Sequence, residues 1–86
     1  MAYKALWHEK ALDDLKALDR QTAQKIIARI KEHLARSPEN FGKSLKGVLE
    51  GLYRYRLGDF RIIYSFDKAE NLISILHIGL RKDVYR

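Results

Sequence analysis

Residues 53–64, YRYRLGDFRIIY, are the segment that most constrains the fold of this chain. Polar and apolar side chains alternate on both sides of Gly58-Asp59, and alternation with a period of two is typical of β-strands. A glycine at the first position of a two-residue loop suits a primed hairpin turn, because that position takes a positive φ. The segment therefore predicts a tight β-hairpin with strands over residues 52–57 and 60–66.

A two-residue turn also fixes the register, placing Leu57 opposite Phe60 and Arg56 opposite Arg61. Because side chains alternate between the faces of a strand, one face of the hairpin carries Tyr53, Tyr55, Leu57, Phe60, Ile62 and Tyr64. We expect the helices to cover that face. The other face gathers Arg54, Arg56, Arg61 and Ile63. A loop longer by one residue would turn one strand over and break this arginine cluster.

The arginine cluster has two interpretations. Like charges directly opposite each other in a sheet cost up to about 1 kcal/mol unless an anion lies between them. The planar guanidinium group suits the oxygens of a phosphate, and the net charge of +6, from 17 basic and 11 acidic side chains, favours a polyanionic partner such as nucleic acid. The alternative is a solvated outer face whose charge serves solubility alone.

The N-terminal half predicts one strand and two helices. Residues 2–8 alternate, with Tyr3, Ala5 and Trp7 on one side, and predict a first strand. Residues 9–18 and 20–36 each carry apolar side chains at helical spacing. Asp19 between them offers an N-cap carboxylate. The second helix is expected to end before Pro38, because the residue preceding a proline is pushed out of the helical region.

The rest of the chain adds a loop and one more strand. Glycines at positions 42, 47 and 51 argue against a long regular element there, although Leu45–Leu49 is expected to pair briefly as a strand. Residues 72–78 predict the last strand. The order β-α-α-β-β-β then predicts an α+β two-layer sandwich. The N-terminal strand is followed by two helices, which pack on a mostly antiparallel four-stranded sheet.

Composition narrows the class of protein. The 86 residues are expected to form a single domain, and without cysteine neither a disulfide nor a cysteine-based metal site supplements its core. No signal-peptide pattern is present, and no apolar run approaches the roughly 18–20 residues of a spanning helix. We therefore expect a soluble cytoplasmic protein that does not bind membranes.

Few residues point to conventional catalysis. The sequence contains no glycine-rich phosphate loop, catalytic serine motif or metal-ligand spacing, so we expect no cofactor and no metal. The three histidines, His8, His33 and His77, are far apart in sequence. We expect His33 on a helix surface. His77 either borders the arginine face or is an ordinary packed or surface histidine.

Three stretches carry a resemblance to a known family: LKG at 45–47, LYRYRLGDFRIIYSF at 52–66 and ILHIGLRKDVYR at 75–86. With a weaker match at residues 2–18, the chain resembles the RelE/ParE superfamily of bacterial and archaeal toxins from type II toxin–antitoxin systems. It is most similar to the RelE-type mRNA interferases. The resemblance covers essentially the whole chain and implies a RelE-like fold.

The resemblance implies a ribosome-dependent endoribonuclease that cleaves mRNA in the ribosomal A site and inhibits translation. The substrate's own 2′-hydroxyl attacks the scissile phosphate and leaves a 2′,3′-cyclic phosphate, which explains why no nucleophilic side chain stands out. The residues matching the family's catalytic set are Arg56, Arg61, Arg81 and Tyr85. Those matching its RNA and phosphate contacts are Lys46, Arg54 and Lys82.

Within that set the chemistry suggests distinct roles. Arg56 and Arg61 hold the scissile phosphate and stabilise the charge that builds up in the transition state. Tyr85 is the expected general base, since neighbouring cations favour its phenolate. Arg81 stabilises the leaving 5′-oxygen. RelE-type proteins often have lysines where this chain has Arg54 and Arg56, which keeps the charge but removes a group able to give up a proton.

Two other functions stay open at this point. A ParE-like toxin shares the fold and inhibits DNA gyrase by binding it, and a catalytically silent nucleic-acid or antitoxin-binding module is the third possibility. In either toxin interpretation the resemblance implies a cognate antitoxin, acidic toward its C-terminus and partly disordered until it binds. The nuclease adds the ribosome and mRNA as partners. The sequence does not specify the oligomeric state.

Overall fold

The structure, a computed structural model, describes residues 2–80. The chain begins with strand β1 (Lys4–Trp7), helix α1 (Glu9–Lys16) and helix α2 (Arg20–Glu32). A 3₁₀ turn (Leu34–Arg36), the one-turn helix α3 (Pro38–Phe41), strand β2 (Lys43–Ser44) and a second 3₁₀ turn (Gly47–Leu49) connect to the hairpin. The hairpin strands are β3 (Tyr53–Leu57) and β4 (Phe60–Asp67), and β5 (Leu72–Leu80) follows.

The described strands form one sheet with the order β1-β5-β4-β3-β2. β1 runs parallel to β5, whereas the other neighbouring pairs are antiparallel. The predicted α+β class and mostly antiparallel sheet are confirmed. The sheet has five strands instead of the four expected, because β2 pairs with the start of β3, Lys43 opposite Arg54.

The strand predicted over Leu45–Leu49 is wrong. Residues 43–44 form the strand that pairs with β3, the Leu45 amide adds one hydrogen bond to the Leu52 carbonyl at 2.9 Å, and residues 47–49 coil into a 3₁₀ turn. Gly47 has a φ of +70°, which takes the backbone out of the extended region. The predicted shortage of regular structure around the glycines is confirmed.

The hairpin has the predicted register over its full length, from Leu57 opposite Phe60 to Tyr53 opposite Tyr64. The two-residue turn begins at Gly58, whose φ is +60° as a primed turn requires. The core is on the side of the sheet that carries Tyr55, Ile62 and Tyr64, all buried. The predicted division of the hairpin into an apolar face and an arginine face is therefore confirmed.

Both long helices pack on the apolar face. α1 buries Ala11 and Leu15, and α2 buries Ile26 and Ile30. Complete burial of a large aliphatic side chain contributes roughly 1.5–3 kcal/mol. Asp19 is the predicted N-cap of α2, and its Oδ2 accepts a hydrogen bond from the Thr22 amide at 3.1 Å. No helix within residues 2–80 is long and apolar enough to cross a membrane.

α2 ends earlier than the apolar spacing predicts. The last α-helical residue is Glu32, and residues 34–36 continue as a 3₁₀ turn instead of extending α2 to Arg36. Pro38 then lies in the first turn of α3, where its missing N–H would have had no helical partner. The predicted end of the long helix before Pro38 is confirmed, and the short helix after it is new.

Candidate nucleic-acid interface

The hairpin face turned away from the helices carries the predicted arginine cluster. We call the side chains of Arg54, Arg56, Arg61 and Ile63 the basic face. Arg56 is directly cross-strand from Arg61, and Arg54 is opposite Ile63. Arg56 is exposed and Arg54 is half-buried. Three predicted site residues are thus brought together by one turn and one register.

The basic face is not fully solvated, in contrast to the outer face expected if its charge served solubility alone. Arg61 is only 7% exposed, and so is Ile63 beside it. A guanidinium group that is partly removed from water acts on a neighbouring anion through a lower effective dielectric. The pair therefore combines a sheltered cation at Arg61 with a solvent-facing cation at Arg56.

The remaining predicted site residues are distributed along the chain. Lys46 is exposed and immediately precedes the second 3₁₀ turn. Arg81, Lys82 and Tyr85 lie outside the described residues. β5 brings the chain to Leu80, opposite Phe60 at the end of the hairpin.

A cleft adjoins the basic face at the outer edge of β3. Its volume is about 170 Å³, and it is lined by Phe41, Lys43, Arg54, Tyr55 and Arg56. We call it the aromatic cleft. Sequence reasoning did not single out Phe41 or Lys43; the available signal was one aromatic residue beside a glycine in an otherwise polar loop.

His33 supports one wall of the aromatic cleft. Its ring stacks on that of Phe41, with centroids 3.9 Å apart and planes inclined by 20°. Its Nδ1 lies 2.8 Å from the hydroxyl oxygen of Tyr55. The expectation that His33 lies on a helix surface is therefore wrong, because α2 ends at Glu32 and the chain turns His33 toward the sheet.

The backbone before β2 fits closely over Tyr64. The Tyr64 hydroxyl donates a hydrogen bond to the Pro38 carbonyl at 2.6 Å. A Cβ at Gly42 would overlap the Tyr64 hydroxyl and lie 2.9 Å from the Arg54 carbonyl oxygen. Only glycine allows this close approach, and the contact fixes the position of Phe41 at the end of α3.

Two buried tyrosines and one histidine are ionisable groups on or beside the hairpin. Burial raises the pKa of Tyr55 and of Tyr64 above the usual value for tyrosine. His77 lies opposite Ile63, but its Nδ1 is 2.6 Å from Oδ2 of Asp14 on α1. His77 therefore borders the basic face, as one of the two alternatives expected, and is also held to α1 through Asp14. No group of three or more His, Asp or Glu side chains suitable for a metal occurs in residues 2–80.

Comparisons with known proteins identify the family of the chain. Residues 5–85 match the family model described as the ParE toxin of the type II toxin–antitoxin system parDE. Toxin RelE of Mycobacterium tuberculosis (strain ATCC 25618 / H37Rv) is 34% identical over 76 residues, covering 88% of this chain and 78% of the relative. Toxin RelG of the same strain is 29% identical over 86 residues, covering 100% of this chain and 99% of the relative.

Solved structures give the same result. The crystal structure of the toxin–antitoxin complex RelBE2 from Mycobacterium tuberculosis matches with a TM-score of 0.90 at 26% identity, over 96% of this chain and 95% of the other. The intact RelBE toxin–antitoxin complex of E. coli shares the fold, with a TM-score of 0.75 at 20% identity over 92% and 96% of the two chains. The family model, the relatives and the fold together show that this chain belongs to the RelE/ParE superfamily of toxins from type II toxin–antitoxin systems.

Proposed function

We propose that this toxin is an endoribonuclease that cleaves mRNA in the ribosomal A site and so inhibits translation. The observation that carries the proposal is the cross-strand pair of Arg56 and Arg61, with Arg54 on the same face. The planar guanidinium groups of such a cluster suit the non-bridging oxygens of a phosphate, to which each can donate two hydrogen bonds. The likeness to proteins named Toxin RelE and Toxin RelG supports a ribonuclease over other anion-binding functions.

The proposed reaction needs no nucleophile from the protein. The 2′-hydroxyl oxygen of the substrate bonds to the adjacent phosphorus, and the bond from phosphorus to the 5′-oxygen breaks. The products are a 2′,3′-cyclic phosphate and a 5′-hydroxyl. Arg56 and Arg61 hold the non-bridging oxygens and stabilise the charge that grows on them, while Lys46, Arg54 and Lys82 bind flanking phosphates.

The reaction also needs a group that accepts the proton of the 2′-hydroxyl. The raised pKa values of Tyr55 and Tyr64 make these tyrosines poor bases near neutral pH, and both belong to the helix-covered side of the hairpin. We propose Tyr85 as the general base, the role that the resemblance to RelE-type toxins implies for it. Arg81 then stabilises the developing charge on the leaving 5′-oxygen. A guanidinium with a pKa above about 12 acts there by its charge instead of donating a proton.

Two partners follow from the proposal. Similar solved structures are complexes of a RelE toxin with a RelB antitoxin. We propose that this chain likewise binds a cognate antitoxin, whose acidic residues complement the net charge of +6. The second partner is the ribosome, which positions the mRNA. We expect weak or no cleavage of free mRNA.

Primer extension on mRNA with and without translating ribosomes tests the nuclease. The wild-type protein is compared with Arg56→Gln, Tyr85→Phe and the control Lys68→Gln, whose lysine is 80% exposed in the turn after β4. We expect ribosome-dependent cuts within A-site codons, at least about tenfold slower in Arg56→Gln and Tyr85→Phe. Lys68→Gln should cut like the wild type. Intact mRNA in every lane would exclude the nuclease.

One observation favours a second candidate. The family model that matches residues 5–85 is that of the ParE toxin, and a ParE-like protein would inhibit DNA gyrase by binding it. A gyrase supercoiling assay with the same purified protein separates the two functions. Inhibition of supercoiling without mRNA cleavage would establish the gyrase function.

A further inference from the structure

The aromatic cleft combines two kinds of chemistry in a small space. Lys43, Arg54 and Arg56 supply positive charge, while Phe41 and Tyr55 supply rings. Its volume of about 170 Å³ is below the roughly 300–1,000 Å³ of pockets that hold drug-sized ligands. The space therefore suits one ring system, with an anionic group attached to it.

The aromatic wall is held in place before any ligand arrives. Phe41 stacks on His33, and His33 is within hydrogen-bonding distance of Tyr55, which is buried in the core. Gly42 and Tyr64 fix the backbone immediately after Phe41. Yet Phe41 remains 42% exposed. An ordered ring with free surface binds a second ring at little cost in conformational entropy.

The cleft is continuous with the basic face, because Arg54 and Arg56 belong to both. An RNA strand whose phosphate lies between Arg56 and Arg61 is therefore next to the aromatic cleft, which Arg56 also lines. Unpaired bases bind proteins chiefly by stacking on aromatic rings, with cations along the backbone.

We propose that the aromatic cleft binds one unpaired base of the RNA, next to the phosphate on the basic face, by stacking on Phe41. This inference rests on the proposed nuclease and adds a site that selects the nucleotide beside the cut. Lys43 binds the phosphate of that nucleotide. An antitoxin segment added to the outer edge of β3, which β2 pairs only as far as Arg54 within residues 2–80, is the competing occupant.

Cut-site mapping on a library of mRNAs with varied A-site codons tests the base site. Phe41→Ala is compared with Phe41→Tyr, which keeps the ring. The matched control is Leu12→Ala, since Leu12 on α1 is also 42% exposed. Stacking predicts that Phe41→Ala lowers kcat/KM about five- to a hundredfold and flattens the preference at one codon position. Phe41→Tyr, which keeps a ring for stacking, should retain the codon preference that Phe41→Ala loses, and Leu12→Ala should match the wild type.

An NMR titration of the wild-type protein makes the test independent of cleavage and of any folding defect in a variant. The probe is a trinucleotide made uncleavable by a 2′-deoxy sugar at the cut position. We expect shifts of the Phe41 and His33 ring signals together with those of Arg54 and Arg56. Shifts confined to the arginines, or no shifts at all, would overturn the base site.

The two experiments separate the failure of this inference from that of the nuclease. Ribosome-dependent cleavage with unchanged codon preference in Phe41→Ala overturns the base site and leaves the nuclease standing. Intact mRNA with ring shifts in the titration removes the nuclease and keeps a base-binding cleft. An acidic peptide that shifts the Phe41 ring when the trinucleotide does not would assign the cleft to a protein partner and overturn the base site.

Discussion

Asp14 and His77 meet at the edge of the sheet, where Oδ2 of Asp14 lies 2.6 Å from Nδ1 of His77. The same oxygen accepts a hydrogen bond from the Ile78 amide at 2.9 Å. β1 pairs with β5 only as far as Ile75. The Ile78 amide therefore has no partner on β1, and the Asp14 carboxylate accepts its hydrogen bond instead. One side chain thereby joins α1 to the last strand.

Replacing this carboxylate should weaken the fold. Asp14→Ala leaves the Ile78 amide and the His77 ring without their acceptor, and we expect the free energy of unfolding to fall by about 1–3 kcal/mol. Urea denaturation at neutral pH measures this change. Asp13→Ala is the matched control, because Asp13 is the exposed neighbour on the same helix, and it should change stability by less than about 0.5 kcal/mol. Equal effects of the two substitutions would contradict the assigned role.

The same pair should make stability depend on pH. Partial burial raises the pKa of Asp14, but hydrogen bonds from the Ile78 amide, the His77 ring and Lys10 outweigh it and hold this pKa below the usual 3.8. A lowered folded-state pKa contributes stability that is present above the unfolded-state value and lost as pH falls through the folded-state value. The wild type should therefore lose more stability than Asp14→Asn on acidification below about pH 4. Parallel curves of urea midpoint against pH for the two proteins would refute this.

The hairpin was predictable from the sequence because its information is local. Alternation and the Gly58-Asp59 turn set both register and faces, so the pairing of Arg56 with Arg61 followed from adjacent residues alone. The N-cap at Asp19 was predictable for the same reason. Local patterns of this kind depend on no contact between distant segments.

The missed features all depend on contacts across the fold. Asp14 and His77 are 63 positions apart, and no spacing rule connects them. The aromatic cleft requires α2 to end at Glu32, so that His33 reaches Phe41 and Tyr55. The low exposure of Arg61 likewise could not be inferred, since alternation assigns a side chain to a face without showing what covers that face.

A side chain at position 42 should destabilise the fold as long as Tyr64 keeps its hydroxyl. The φ of Gly42 is −109°, which any residue adopts, so the cost of Gly42→Ala is steric. Overpacking of this kind costs about 1–3 kcal/mol. Tyr64→Phe removes the overlapped oxygen, and we expect Gly42→Ala to cost less in that background by at least about 0.5 kcal/mol. A double-mutant cycle by urea denaturation measures the coupling, and additive costs would show that the hydroxyl is not the obstacle.

The Tyr64 hydroxyl should also limit stability in alkali. Burial, followed by the nearby charges of Tyr53 and Glu39, raises the pKa of Tyr64 above its usual value of 10.0. A group with a raised folded-state pKa contributes stability that is complete below the unfolded-state value and is lost as pH rises toward the folded-state value. Wild-type stability should therefore fall more steeply above about pH 10 than that of Tyr64→Phe. Urea midpoints from neutral to alkaline pH test this, and equal slopes would contradict it.

Phosphate contacts at the basic face and the aromatic cleft should appear in the salt dependence of RNA binding. Each neutralised phosphate of a single strand contributes about 0.7 to the slope of log affinity against log salt concentration. Arg54→Gln and Lys43→Gln, which change two cations lining the cleft, should each lower the magnitude of this slope by about that amount. The affinity for the uncleavable trinucleotide is measured at several salt concentrations, with Lys68→Gln as the control for a cation in the turn between β4 and β5. A slope lowered equally by Lys68→Gln would mean that general charge, and not the cleft, attracts the RNA.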